Sequence, residues 1–368
     1  MVSRCISPQP LGGDFATAFS YHCETAIQIR DAMFRHIGVS IDSSDHSSEA
    51  TILALEFART GGARISLRYA QSMRGDLLAQ AHGVHRANEA STRAEAAARA
   101  LGVPGKSTSL VTQCPAHDIL NAAKLAACDA VIAAHDPADL RVRGGSTTVA
   151  LITQAAVPVL TFGRECMPAR VPALDLMRTE YQRLATLIHK WLCLLGTAHT
   201  RGEQSLSSYR STMYGVIEYI RSTVHPLQAC KAAKFFGRIR PRVESVRAEI
   251  DELLLLDQRK QLLLEELESK VAGPLDYEAA VTDLLSALRQ YANLIWTARG
   301  REEGVILPAA RRHLTAQDWS RLHAGFTRSC RGKNGASVLD RFACMSDALY
   351  EAALNGIRPG LVANFLEA

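Results

Sequence analysis

The sequence predicts an α/β domain with a parallel sheet followed by an all-α domain of antiparallel four-helix-bundle type. Three observations carry that reading. Short β-branched runs alternate with amphipathic helical runs from residue 34 to 163, two prolines then interrupt the chain, and beyond them the strand signal vanishes. At 368 residues the chain exceeds one ordinary core and suits two domains that each fold without staples.

Residues 1–33 carry Pro, Gly and Ser without sustained periodicity and are read as a leader, either loosely ordered or packed on the first domain as a helix. RHIGVSID (35–42) is a strand with a β-branched centre, SSEATILALEFARTGGA (47–63) an amphipathic helix closed by glycines, and RISLRYA (64–70) a second strand. An Ala-rich helix follows at 87–101, then strands at 107–113, 129–135 and 157–163 separated by helices at 117–128 and 146–156. Crossovers of this length make the sheet parallel and cover both its faces. Residues 164–173, with two prolines, form the linker. In 174–328 helices are expected at 174–195, 205–224, 242–271 and 277–299, and such lengths with modest connections make an antiparallel bundle. Residues 329–368 form a helical tail, broken at Arg358-Pro359-Gly360.

Composition narrows the function classes. Hydrophobic residues make up 47% and charged residues 21%, no apolar run of about 18 residues marks a membrane span, and the first thirty residues do not read as a secretory signal. Nine cysteines stand singly, without a CxxC pair, which suits a reducing cytoplasm. The net charge of +5 is spread among acids and forms no basic stripe with aromatics, so neither nucleic acid nor membrane is expected as a partner.

In an open parallel sheet, ligands sit beyond the carboxyl ends of the strands, which directs attention to Asp42-Ser43-Ser44 and to His135–Ser146. With VSIDSS, PAHDILNAA before DAVIAAH, and GGSTTVALITQAAVPVL, residues 34–163 resemble the universal stress protein family. The resemblance implies a nucleotide-binding fold whose ATP-binding members place glycines after the fourth strand and a Gly-Ser pair at the next helix. Asp42, Ser43, Arg141, Arg143, Gly144, Gly145, Ser146 and Thr147 are therefore the candidate nucleotide or small-anion site. Asp136 and Asp139 stand where the earlier glycines belong, and a carboxylate about 4 Å from a phosphate costs on the order of 4 kcal/mol, so ATP in the usual pose is disfavoured. Arg141 and Arg143 either free the helix start for a smaller anion or pair with those acids on a solvated loop. GVPGKST (102–108) imitates a phosphate-binding loop, but Ala100 replaces its first glycine and it leads from helix to strand, so it is read as a cap and turn.

Beyond the linker, LDLMRTEYQRL, TVHPLQA, LLLLDQRKQLLLEELE and REEGVILPAARRHLTAQDW resemble the hemerythrin-like (HHE) cation-binding family over 174–328. That family implies a bundle with a di-metal centre held by inward histidines and carboxylates. The expected ligands fall instead on Tyr181, Gln228, Gln258 and Ala298, while His225 and Glu303 remain. The metal site is read as lost and no cofactor is expected. A replacement site from His189, Cys193 and Cys230 is the alternative, against a reading in which Cys193 fills core and His189 snorkels or caps. Leu253–Leu256 with Leu262–Leu264 form a broad apolar face, either core or the seat of a partner helix.

No nucleophile, base and orienting group share a recognisable spacing, so the chain is not read as an enzyme. The expectation is a cytoplasmic, non-enzymatic stress-response or regulatory protein of two ligand-degenerate modules, acting as a homodimer and through a further protein partner. A nucleotide or small-anion sensor is the second reading, and an iron- or oxygen-responsive protein the third.

Overall fold

The computed structural model describes residues 34–42, 44–72, 77–112, 114–134, 147–162, 171–201, 206–330 and 338–355. The expected leader and the break at 358–360 lie outside them.

Five parallel strands, β1 (His36–Ile41), β2 (Arg64–Ser72), β3 (Gly105–Thr112), β4 (Ala130–Ala134) and β5 (Val159–Phe162), form one sheet in the order β3-β2-β1-β4-β5. Helices α1 (Asp45–Gly61), α2 (Leu77–Ala100), α3 (Pro115–Leu125) and α4 (Thr147–Gln154) connect them. Ile37, Val39, Leu67 and Ile132 are buried together on one face, and Val131 and Ala133, which alternate with Ile132, are buried on the other, as a sheet covered by helices requires. Strand order reverses between β1 and β4, so the crevice for a ligand opens at their carboxyl ends. α2 starts ten residues before its expected start at 87. At Gly102 the backbone takes φ of +69°, closing α2 before β3, so the GVPGKST stretch is a turn from helix to strand.

The remainder is helical. α5 (Pro172–Arg201) begins inside the expected linker. α6 (Arg210–Tyr219) runs on through a π-helical stretch, Ile220–Val224, into α7 (His225–Cys230), a second π stretch, Lys231–Phe236, and α8 (Gly237–Ile239). α9 (Arg247–Ala272) follows, then α10 (Glu278–Arg301), which continues through π-helical Glu302–Ile306 into α11 (Leu307–His313). α12 (Ala316–Cys330) and α13 (Val338–Asn355) complete the described residues.

The helices expected to stop at 224 and 299 thus pass through Pro226 and Pro308. A proline lacks the N–H and its ring presses on the carbonyl four residues back. In both places a π turn ends two residues before the proline and widens the ladder there, so the helix bends without breaking. The restart at α12 is a capping box: Thr315 Oγ1 accepts from the Asp318 amide at 3.2 Å and Asp318 Oδ2 accepts from the Thr315 amide at 3.1 Å.

α5, α9 and α10 bury Trp191, Leu267, Leu288 and Trp296 in one core, and the π stretches Lys231–Phe236 and Glu302–Ile306 with α12 bury Phe235, Ile306 and Phe326 in a second. Leu253, Leu256 and Leu264 face inward, while Leu255 and Leu262 are 51% and 65% exposed, so the leucine-rich face of α9 is only partly core.

The α/β half and the helical half meet along α2 and α10. Gly300 and Gly304, four residues apart and therefore on one face of the helix, let the two backbones approach. A Cβ built on Gly300 would lie 2.1 Å from the Arg93 carbonyl oxygen, and one on Gly304 would lie 2.9 Å from Ala97 Cβ. The facing surface of α2 is small as well, with Ala90, Ala94 and Ala97 buried.

Candidate functional site

Around the glycine contact lies a buried charge network. Arg93, on the alanine face of α2, donates to both carboxylate oxygens of Glu303 at 2.9 and 3.2 Å, to Glu89 Oε1 at 3.1 Å and to Ser48 Oγ at 2.7 Å. From the other side, Arg299 Nε donates to Glu303 Oε1 at 2.8 Å. The Tyr181 hydroxyl donates to Glu89 Oε1 at 2.7 Å, and its ring lies between the guanidiniums of Arg93 and Arg299, 5.4 and 5.0 Å from its centroid. His189 Nε2 stands 3.1 Å from Glu89 Oε2. Lys231 Nζ donates to Glu302 Oε2 at 2.7 Å. Glu89, Glu302 and Glu303 thus meet Arg93, Arg299 and Lys231, three acids against three bases.

Burial alone would raise the Glu89 carboxyl, but His189 and Arg93 beside it hold it at about 2. Glu303 is likewise kept low against its burial by Arg93 and Arg299. Burial, with His189 next to it, brings His85 down to about 3. Both depressed groups act in the same direction on stability. An acid whose folded pKa is lowered stabilises above its unfolded pKa and loses that contribution as pH falls. A base with a lowered pKa binds fewer protons folded than unfolded, so acid again favours unfolding. Stability measured by urea titration is therefore expected to decline from about pH 6.5, as His85 begins to count. It steepens below about pH 4.5 as the roughly 3 kcal/mol held by Glu89 is lost. A flat profile between pH 7 and 4 would contradict the buried network.

Peripheral arginines extend the junction. Arg178 and Arg311 both reach Glu49 on α1, at 3.0 and 2.8 Å, and Arg312 reaches Glu56 at 3.2 Å. These more exposed pairs contribute alignment more than energy.

The network touches the carboxyl end of β1. There Asp42 Oδ1 accepts from the Ser44 amide at 2.6 Å, the Asp42 amide donates to Ser47 Oγ at 2.7 Å, and Ser44 Oγ caps α1 by accepting from the Ser47 amide. A small cavity is bounded by Asp42, Ser47, Ser48, Arg93, Ala97 and Glu303, so the loop after β1 and the helical half share one wall. Of the candidate anion residues, Asp42 is exposed beside this cavity and Thr147 is exposed at the first turn of α4. The neighbouring Thr148 hydroxyl ties that helix to β4 by donating to the Ala134 carbonyl at 2.9 Å. Ser43, Arg141, Arg143, Gly144, Gly145 and Ser146 lie outside the described residues, as do Asp136 and Asp139.

Residues 33–162 match the Universal stress protein family. The universal stress protein domain is thus the α/β half, and the match does not extend to the helical half. Among solved structures the chain is similar to a universal stress protein in complex with cAMP, with 18% identity over 35% of this chain and 97% of that one and a TM-score of 0.30. It is also similar to one from Archaeoglobus fulgidus in complex with dAMP, with 24% identity over 35% and 98% and a TM-score of 0.29. A member of the family from Burkholderia pseudomallei gives 23% identity over 36% and 97% and a TM-score of 0.30. No curated protein matches.

In the helical half, α5, α7, α9 and α10 line a cleft. Tyr181, His225, Gln228 and Ala298, four positions singled out in the sequence, all line it. Two others need correction. Gln258 is exposed and takes no part in the cleft; Asp257 lines it instead, one residue out of the expected phase. Glu303 points to Arg93 at the domain junction, and its neighbour Glu302 faces the cleft. Glu302 lies four residues after Ala298 and its amide bonds the Ala298 carbonyl, so ordinary α-helical phase puts these two on one face.

The cleft does not fit a pair of metal ions. Lys231, Lys260 and Arg299 stand among its acids, with Lys260 Nζ 2.8 Å from Asp257 and Lys231 on Glu302. Glu180 is paired with Arg183 and accepts from the Tyr219 hydroxyl at 3.2 Å. Among the described residues no three His, Cys, Asp or Glu side chains converge to hold a metal ion. The alternative set is also dispersed. His189 turns to Glu89 and packs on Trp296, Cys193 is fully buried beside Ala81 and Ala353 with burial pushing its thiol up to about 12, and Cys230 belongs to a separate core. His189 therefore neither snorkels nor caps.

Proposed function

We propose that the protein is a non-enzymatic stress-response regulator in which a universal stress protein domain and a hemerythrin-like bundle that has exchanged its metal site for side-chain cations act as one unit. The helical half then works through protein contacts, as a homodimer and with a further partner. The observation that carries this reading is the junction of α2 with α10, where Glu303 of the helical half is held by Arg93 within a wall of the cavity beside Asp42. Every acid of this network is neutralised by a base. Elemental analysis of protein purified without a histidine tag from iron-supplemented cells is expected to show only substoichiometric transition metal. Two equivalents of iron per chain would overturn the reading and bring forward an oxygen-responsive role.

A second reading is favoured by the same cavity: a nucleotide or small anion at the carboxyl ends of β1 and β4 is the input to this unit. Ser48 contacts Arg93, so a ligand that reorders the loop after β1 acts directly on the residue that holds α10. Thermal-shift titration with ATP, AMP, cAMP and inorganic phosphate tests this, because a ligand at a hundred times its dissociation constant adds about 2.7 kcal/mol of stability. A hit is expected to slow amide exchange in residues 295–306 as well as in the loop after β1. No shift with any of the four would remove the sensor reading and leave the protein-contact role standing.

A further inference from the structure

The cleft between α5, α7, α9 and α10 has features that the loss of a metal does not explain. A helical interior that merely abandoned its metal would fill the space with apolar side chains, since an unpaired buried charge costs more than it returns. Here the walls instead carry Lys231, Lys260 and Arg299 against Glu180, Asp257 and Glu302, a balanced set of three and three. Glu302 is 3% exposed, and among the described residues its Oε1 accepts no hydrogen bond; Arg299 Nη1 is 3.8 Å from it. A carboxylate oxygen buried without a donor is a strong local demand for one. On the facing walls, Gln228 and the Tyr291 hydroxyl add polar groups of small reach, while Met177, Leu184 and Ile295 supply apolar surface.

This arrangement selects among ligand classes. An inorganic anion would satisfy the lysines but leave Glu302 Oε1 bare and repelled; a metal cation or simple amine would satisfy Glu302 and be repelled by the lysines. A molecule of zero net charge with separated ammonium and carboxylate groups satisfies both, and the apolar patch accommodates a side chain. Resting on the metal-free reading of the bundle, we infer that the cleft binds a small zwitterion of the α-amino-acid type, its ammonium on Glu302 and its carboxylate between Lys231 and Lys260.

The test is a thermal-shift screen of the full chain against the proteinogenic L-amino acids, followed by calorimetric titration of any that stabilises it. Each is then compared with its decarboxylated amine and its deaminated acid on the unaltered protein. At least one amino acid is expected to bind, and both analogues are expected to bind about tenfold or more weakly. Glu302→Gln should weaken the amino acid by a similar factor while leaving the deaminated acid unchanged, and Lys260→Met should weaken both. A metal-free protein stabilised by no amino acid, or one that binds either analogue as well as the parent, would overturn the inference alone. Stoichiometric metal in the purified chain would overturn the metal-free reading together with it.

Discussion

Gly300→Ala is expected to be the most damaging single-methyl substitution at the interface between the two halves. The added Cβ would lie 2.1 Å from the Arg93 carbonyl oxygen and 2.8 Å from its carbonyl carbon, all backbone atoms of another helix. Neither partner can rotate away, so α2 and α10 must separate, and the cost is at least about 3 kcal/mol. Separation also stretches the Arg93–Glu303 contact and partly exposes the network. Chemical denaturation of the variant should show a lower midpoint, and calorimetry should show a second transition as the halves lose their coupling. Gly237→Ala is the control. Gly237 is helical with nothing within 4 Å of its added Cβ, so that change should stabilise by up to about 1 kcal/mol. Equal responses at the two glycines would mean that the close crossing does not exist in solution.

The second large effect is at Arg93. Its removal leaves Glu303 and Glu89 buried with less compensation, and breaking such a pair by deleting one partner costs about 3 to 5 kcal/mol. Arg93→Ala should therefore destabilise strongly by denaturant titration. Arg93→Lys should recover little, since an ammonium cannot span both Glu303 oxygens while reaching Glu89 and Ser48. Glu303→Gln in the Arg93→Ala background should cost much less than in the unaltered chain, a coupling of about 1 to 3 kcal/mol. Additive effects would place the two residues in separate environments.

How much of this was legible in the sequence follows from the kind of signal each feature leaves. The strands of the α/β half declare themselves by β-branched runs, and all five appear where the alternation puts them. Helix ends are read less well, because Pro226 and Pro308 look like stops and only a π turn lets a helix pass them. Glu303 lies five residues after Ala298 and off its face, whereas Glu302, four residues after it and bonded to its carbonyl, is the inward carboxylate. At Gln258 the expected phase was wrong by one residue, and the inward group is Asp257. Arg93 and Glu89 escaped notice because a charge in an Ala-rich helix ordinarily marks a solvated face. A cue was nevertheless present. Gly300 and Gly304 at one-turn spacing, opposite an alanine-faced helix, announce a close crossing, and any charge near such a crossing is buried.

The central claim is that the universal stress protein domain and the helical half form one cooperative unit held by α2 against α10. Scanning calorimetry of the full chain tests it most directly. The account predicts a single transition whose calorimetric enthalpy equals the van't Hoff enthalpy, resolved into two by Gly300→Ala. Two independent transitions in the unaltered protein, unmoved by substitutions at Gly300 or Arg93, would contradict it.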